Sequence, residues 1–254
     1  MIDSLALLMS IVCTSIECLI LWRGWRARIL VKYPLFFVYI ASVLAFDPVL
    51  FMTYYLRPHA YAWWYWRAGM FQFVAVLGLL IEINKYCLKA LPVANAFGRR
   101  LEWFLLFITG VTASLCVYHL WENDDGGFRF QRDFAGVQAI LLLMLTLAIF
   151  YYGSPVGKNV KGILLGYAMA LAGTLVTFSL TLRWNDAFYE ILSWMHSVSF
   201  LAALLIWLVS LWKYDANPAV YGELNLENAR EAFSRRMKYK MDLIGAFFAK
   251  LVRP

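Results

Sequence analysis

The chain has 254 residues, of which 63% are hydrophobic, 18% aromatic and 15% charged. A soluble domain holds about 45–50% apolar and about 25% charged residues. That contrast excludes a water-soluble globule, a disordered chain and a small disulfide scaffold. The net charge of +7 could suit nucleic acid. However, the basic residues gather in alternate loops and the tail, as membrane insertion requires, so no nucleic-acid partner is expected.

A membrane-spanning helix needs about 20 mostly apolar residues. Runs bounded by charge, proline or glycine fall at 2–22, 34–56, 63–86, 101–120, 134–152, 162–182 and 187–212. The expected fold is therefore all-α: a polytopic seven-transmembrane-helix bundle over 1–214, followed by a cytoplasmic tail over 215–254. The start, Met1-Ile2-Asp3-Ser4, has no basic segment and no small-residue cleavage pattern follows, so the first run reads as a retained helix. Eighteen of the 23 Lys and Arg residues fall on the side holding the first loop and the tail, and five on the other. This bias places the N-terminus outside and the C-terminus in the cytoplasm of a plasma or inner membrane.

Taken in chain order, the spans carry few polar groups. Each charged group at bilayer depth costs about 2.5–3.5 kcal/mol on insertion scales, so it needs a partner or a purpose. Glu17 lies toward the inner end of span 1, and Glu82 and Lys85 toward the inner end of span 3. Pairing of Glu82 with Lys85 along the helix and snorkelling account for this group. Asp47 lies slightly outside the midplane of span 2 and precedes Pro48, which cannot donate to the carbonyl of Leu44 and should kink the helix. Arg67 and Gln72 in span 3, Gln138 in span 5, and Glu190, Trp194 and His196 in span 7 occupy the outer half. These residues are expected to converge on a ligand pocket open to the outside, with Asp47 and Arg67 as its charge pair. A plainer account makes each an interhelical hydrogen bond.

Between spans 2 and 3, Tyr61-Ala62-Trp63-Trp64-Tyr65-Trp66 places amphipathic rings where an interfacial belt belongs. The longest outer loop is expected from Trp121 to Asp133, with Asp124-Asp125 in a solvated turn. In span 6, Gly162, Gly166 and Ala170 recur at intervals of four, a spacing that lets helix backbones approach closely. This stripe could face a neighbouring helix or another subunit, and a homo-oligomer or larger membrane complex follows from the second case. A shift of 128 residues superposes Tyr61, Trp66, Lys85 and Tyr86 on Tyr189, Trp194, Lys213 and Tyr214. Spans 1–3 would then repeat as 5–7, with span 4 as connector. From about Asn225 the tail alternates an apolar face with Arg230, Arg235, Arg236, Lys238 and Lys240. That pattern suits a helix lying on anionic inner-leaflet lipid, with a partner protein as the other occupant.

The catalytic inventory is thin. Glycine-rich nucleotide loops, a G-x-S-x-G elbow and H-E-x-x-H are missing, as is any CxxC spacing among Cys13, Cys18, Cys87 and Cys116. With three histidines, no metal site is expected. His119 and His196 lie at unequal depths and make a poor haem b pair. The topology is similar to that of rhodopsins and G-protein-coupled receptors, but the residues depart from both. No lysine between Arg183 and Lys213 could hold retinal, and the receptor motifs of spans 3 and 7 are missing. No cofactor is expected. The leading expectation is a non-enzymatic sensor, ligand-binding protein or accessory subunit. A small transporter or channel comes second, and a lipid-modifying enzyme third.

Overall fold

The structure is a computed structural model that describes residues 4–89, 95–122, 127–151, 156–184 and 189–214, with 231, 234, 235 and 238. Seven α-helices lie within these ranges: α1 (Ser4–Arg26), α2 (Pro34–Leu56), α3 (Pro58–Asn84), α4 (Asn95–Glu122), α5 (Gly127–Tyr151), α6 (Lys158–Trp184) and α7 (Tyr189–Leu211). No strand occurs among the described residues. Six helices (all but α4) are long and apolar enough to cross a membrane. The expected fourth run lies within α4. Their outer surfaces remain apolar, with Leu165 62% and Val209 67% exposed, which is compatible with a membrane protein.

Several helices extend past the apolar runs. α1 continues through Arg23 and Arg26, whose charges complement the negative end of the helix dipole. α2 and α3 are separated by Arg57 alone, and each starts on a proline, where the missing N–H costs nothing. The anticipated long loop from Trp121 to Asp133 is shorter than expected. α4 runs through Glu122 and α5 begins at Gly127, while Asp124 and Asp125 lie outside the described residues.

α2 packs most closely on α3, and α6 on α7; α1 bridges α2 and α7, and α5 bridges α3 and α6. The small-residue stripe of α6 explains the second pairing. A Cβ on Gly162 would collide with Ser210, one on Gly166 with the Trp207 ring, and one on Gly173 with Ser199. The stripe thus faces α7 of the same chain. Gly166→Ala should therefore cost about 1–3 kcal/mol through overpacking. Gly110→Ala, where an added Cβ meets nothing within 4 Å, should be neutral or slightly stabilising. Thermal unfolding of the two variants in detergent checks the contrast.

One end of the bundle is closed by side chain to backbone bonds. Arg23 Nε donates to the Trp212 carbonyl at 2.8 Å, and its guanidinium lies 5.2 Å from the centre of the Trp212 ring. Asn159 Nδ2 donates to the carbonyls of Ser210 and Lys213 at 2.7 and 2.9 Å. Tyr86 donates to the Lys32 carbonyl at 2.6 Å, beside the buried Tyr33 ring. Burial, then the neighbouring Tyr214, Tyr86, Cys87 and Glu82, push the Tyr33 phenol well above its ordinary ionisation range.

Glu82 departs from the expected pairing. It is buried, and its two oxygens accept from the backbone N–H groups of Leu35 at 3.4 Å and Phe36 at 3.3 Å. The carboxyl of α3 therefore caps the first turn of α2, while Lys85 is exposed at the start of a π-helical turn, Lys85–Lys89.

Candidate functional site

A partly enclosed cavity of about 450 Å³ lies in the half of the bundle opposite these closing contacts. Its walls come from α1, α2, α3, α5, α6 and α7; among the described residues, α4 contributes none. Pockets of roughly 300–1,000 Å³ with apolar walls and a few convergent polar groups are the usual form of a small-molecule site.

The polar groups come from separate helices. Asp47 enters from α2, Gln72 from α3, Gln138 from α5 and His196 from α7, and all four line the cavity. Asp47 is half-buried and precedes Pro48, through which α2 continues as a helix. Gln138 Oε1 accepts from the Tyr167 hydroxyl at 2.7 Å, which fixes the amide at the wall. The buried Nδ1 of His196 makes no hydrogen bond among the described residues, and its ring lies 6.4 Å from that of Phe178.

Other expected members stand apart. Arg67 is exposed: its guanidinium lies 3.2 Å over the Trp63 ring and it donates to the Trp63 carbonyl at 3.4 Å. Cation–π attraction within its own helix turn holds this side chain, and the anticipated pair with Asp47 is not formed. Trp194 is half-buried but does not line the cavity. The side chains of Glu190 and His119 lie outside the described residues. So do Arg230, Arg236 and Lys240 of the tail, whereas Arg235 and Lys238 are helical and exposed, with Arg235 bonded to Glu231 at 3.2 Å.

The floor of the cavity was not foreseen. Tyr39 and Tyr167 meet edge to face at 6.5 Å, and beneath Tyr39 lies Trp207, 6.1 Å away and fully buried. The sequence held a signal for this pair, because Tyr39 and Tyr167 are separated by the same 128 residues as the aromatic and basic landmarks. The relation extends round the wall. Ser10 and Gln138, Tyr39 and Tyr167, Val43 and Leu171, Leu50 and Phe178, Ala68 and His196, Gly69 and Ser197, and Gln72 and Phe200 are each 128 apart, and all line the cavity. These pairs include seven of the eleven lining residues in the second half of the chain.

Glu17 adds a second carboxyl behind the wall, one turn beyond Cys13 on α1. It is fully buried, and both its oxygens lack a hydrogen-bond partner among the described residues. Snorkelling is excluded for a side chain with no exposure. A buried polar group without a partner costs about 1–3 kcal/mol in mutational data. Glu17→Leu should therefore raise stability by about that amount, read as a higher melting midpoint. A midpoint below wild type would show that Glu17 has a stabilising partner.

No family model matches this chain, and neither the curated proteins nor the solved structures yield a significant match.

Proposed function

We propose that this chain is an integral protein of the plasma or inner membrane that binds a small ligand from the outside, as a sensor or as the ligand-binding or accessory subunit of a membrane assembly. The observation that carries this reading is the cavity built by six helices, with Asp47, Gln72, Gln138 and His196 converging on apolar walls. Its orientation rests on the charge bias, which puts 18 of 23 basic residues on the side of the first loop and tail. α4 serves as the seventh span. The N-terminus then lies outside, the cavity occupies the outer half, and the Arg23, Asn159 and Tyr86 contacts close the cytoplasmic end. The basic tail helix would rest on anionic inner-leaflet lipid.

The test is a small-molecule panel read by the melting midpoint of the full chain in nanodiscs. Binding to the folded state alone raises stability by about 2.7 kcal/mol at a hundred times the dissociation constant. Compounds that stabilise wild type but not Ala135→Phe, which fills the cavity, support the reading. A panel without effect on wild type counts against it.

A second reading, a small transporter or channel, is favoured by the 128-residue relation among the lining residues. The helix contacts support it further. Phe46 meets Phe71 as Gly173 meets Ser199, and Leu35 meets Glu82 as Gly162 meets Ser210, each within one residue of the shift. Two three-helix units around a central site, joined by α4, is an arrangement that transporters use. Transport predicts flux in proteoliposomes that Asp47→Asn abolishes; absence of flux across a broad panel contradicts it.

A further inference from the structure

We propose that the cavity takes a small organic cation, an ammonium group on an aromatic or apolar body. The inference rests on reading the cavity as a ligand site and adds the chemistry of what enters it.

Charge is the first argument. The described lining includes Asp47 as its single carboxyl and no lysine or arginine. Arg67, the nearest basic residue in sequence to the α3 part of the wall, is committed to Trp63. Glu17 stands behind Cys13 with both oxygens unpartnered and fully buried. Acidic groups inside a membrane bundle ordinarily pair with one another or with a basic group, or else mark the path of a cation. Among the described residues no lysine or arginine lines the cavity beside Asp47, so the counter-charge at the wall is left to the ligand.

The walls supply the second argument. Eight aromatic side chains line the cavity, among them Tyr65 and Trp66 of the outer half of α3, and Phe73 and Phe134, whose rings lie 4.2 Å apart. Ring faces attract cations, and do so more strongly once water is excluded. Such walls repel an anion and reward an apolar body. A bare metal ion fits poorly, since calcium or magnesium requires about six oxygen ligands and the walls are mostly apolar. The volume of about 450 Å³ is also far beyond the needs of an inorganic ion.

The experiment uses the full chain in phosphatidylcholine nanodiscs, with empty nanodiscs subtracted, and three probes of matched shape: 2-(1-naphthyl)ethylamine, 2-(1-naphthyl)ethanol and 3-(1-naphthyl)propionate. Calorimetry should find the amine bound at least about tenfold more tightly than the other two. Asp47→Asn should erase that preference and leave amine and alcohol alike, while Ala135→Phe should weaken all three. If the alcohol or the carboxylate matches the amine, or the preference survives Asp47→Asn, the cation assignment is overturned, and Ala135→Phe sensitivity still upholds the cavity. If no probe binds in an Ala135→Phe-sensitive way, both readings fall. The unliganded melting midpoint of each variant identifies any loss of fold, and Asp47→Glu, which keeps the charge, should restore part of the preference.

Discussion

Trp207→Ala should destabilise the bundle by about 3–5 kcal/mol, the range for removing a large aromatic side chain from a packed core. Trp207 is fully buried on α7. Its ring meets Phe36 at 5.4 Å and Tyr39 at 6.1 Å, and Nε1 donates to the Ile163 carbonyl at 3.1 Å. Gly166 leaves room for the ring on the α6 side. One side chain therefore joins α2, α6 and α7 and supports the tyrosine floor. Trp207→Phe keeps most of the apolar volume and loses a hydrogen bond worth about 0.5–1.5 kcal/mol, so it should fall between alanine and wild type. The alanine variant should also weaken cavity ligands, because Tyr39 loses its backing. Unfolding midpoints of the three proteins in one lipid environment give the order. An alanine variant within about 1 kcal/mol of wild type would mean that the site collapses without a cavity.

The second large effect is expected at Glu82. Its carboxyl accepts the N–H groups of Leu35 and Phe36, which the first turn of α2 cannot satisfy internally. Removal should cost about 1–3 kcal/mol for the buried Phe36 donor and less for the part-buried Leu35 donor, plus the loss of a negative group at the positive end of the helix. Glu82→Gln keeps one acceptor oxygen and should be milder than Glu82→Ala. Hydrogen exchange would locate the damage: Leu35 and Phe36 amides should exchange faster in Glu82→Ala, while the middle of α2 changes less. If instead the carboxyl only paired with Lys85, Lys85→Ala would reproduce the loss.

The helices were legible in the sequence because apolar length is a one-dimensional property. Charge and proline bound each run, and the helices extend beyond the apolar stretches chiefly at the starts of α3, α4 and α5, and also at Arg23, Arg26 and Lys158. Four polar cavity residues were legible for a similar reason, since Asp47, Gln72, Gln138 and His196 are rare at that depth. Partner choice was not legible. Arg67 lies at a depth where it could meet Asp47, yet its rotamer is decided by Trp63 one turn away. Glu82 lies three residues before Lys85, but the start of α2 offers two N–H groups and a positive dipole, and sequence spacing says nothing of that approach. Tyr39 and Tyr167 carry no mark in the sequence beyond their 128-residue separation, and only the fold sets them against each other. The small-residue stripe left its facing partner open, which the contacts with Ser210 and Trp207 resolve.

The central claim is a bundle crossing the bilayer with its cavity reached from the outside. Thiol labelling in intact cells tests it most directly. The background is a variant lacking Cys13, Cys18, Cys87 and Cys116, and the reagent is a membrane-impermeant methanethiosulfonate. Leu50→Cys, in the cavity wall, should react in intact cells, whereas Lys158→Cys, at the start of α6, should react only after permeabilisation. The reverse order, or a Leu50→Cys that stays silent until the membrane is opened, would contradict the account.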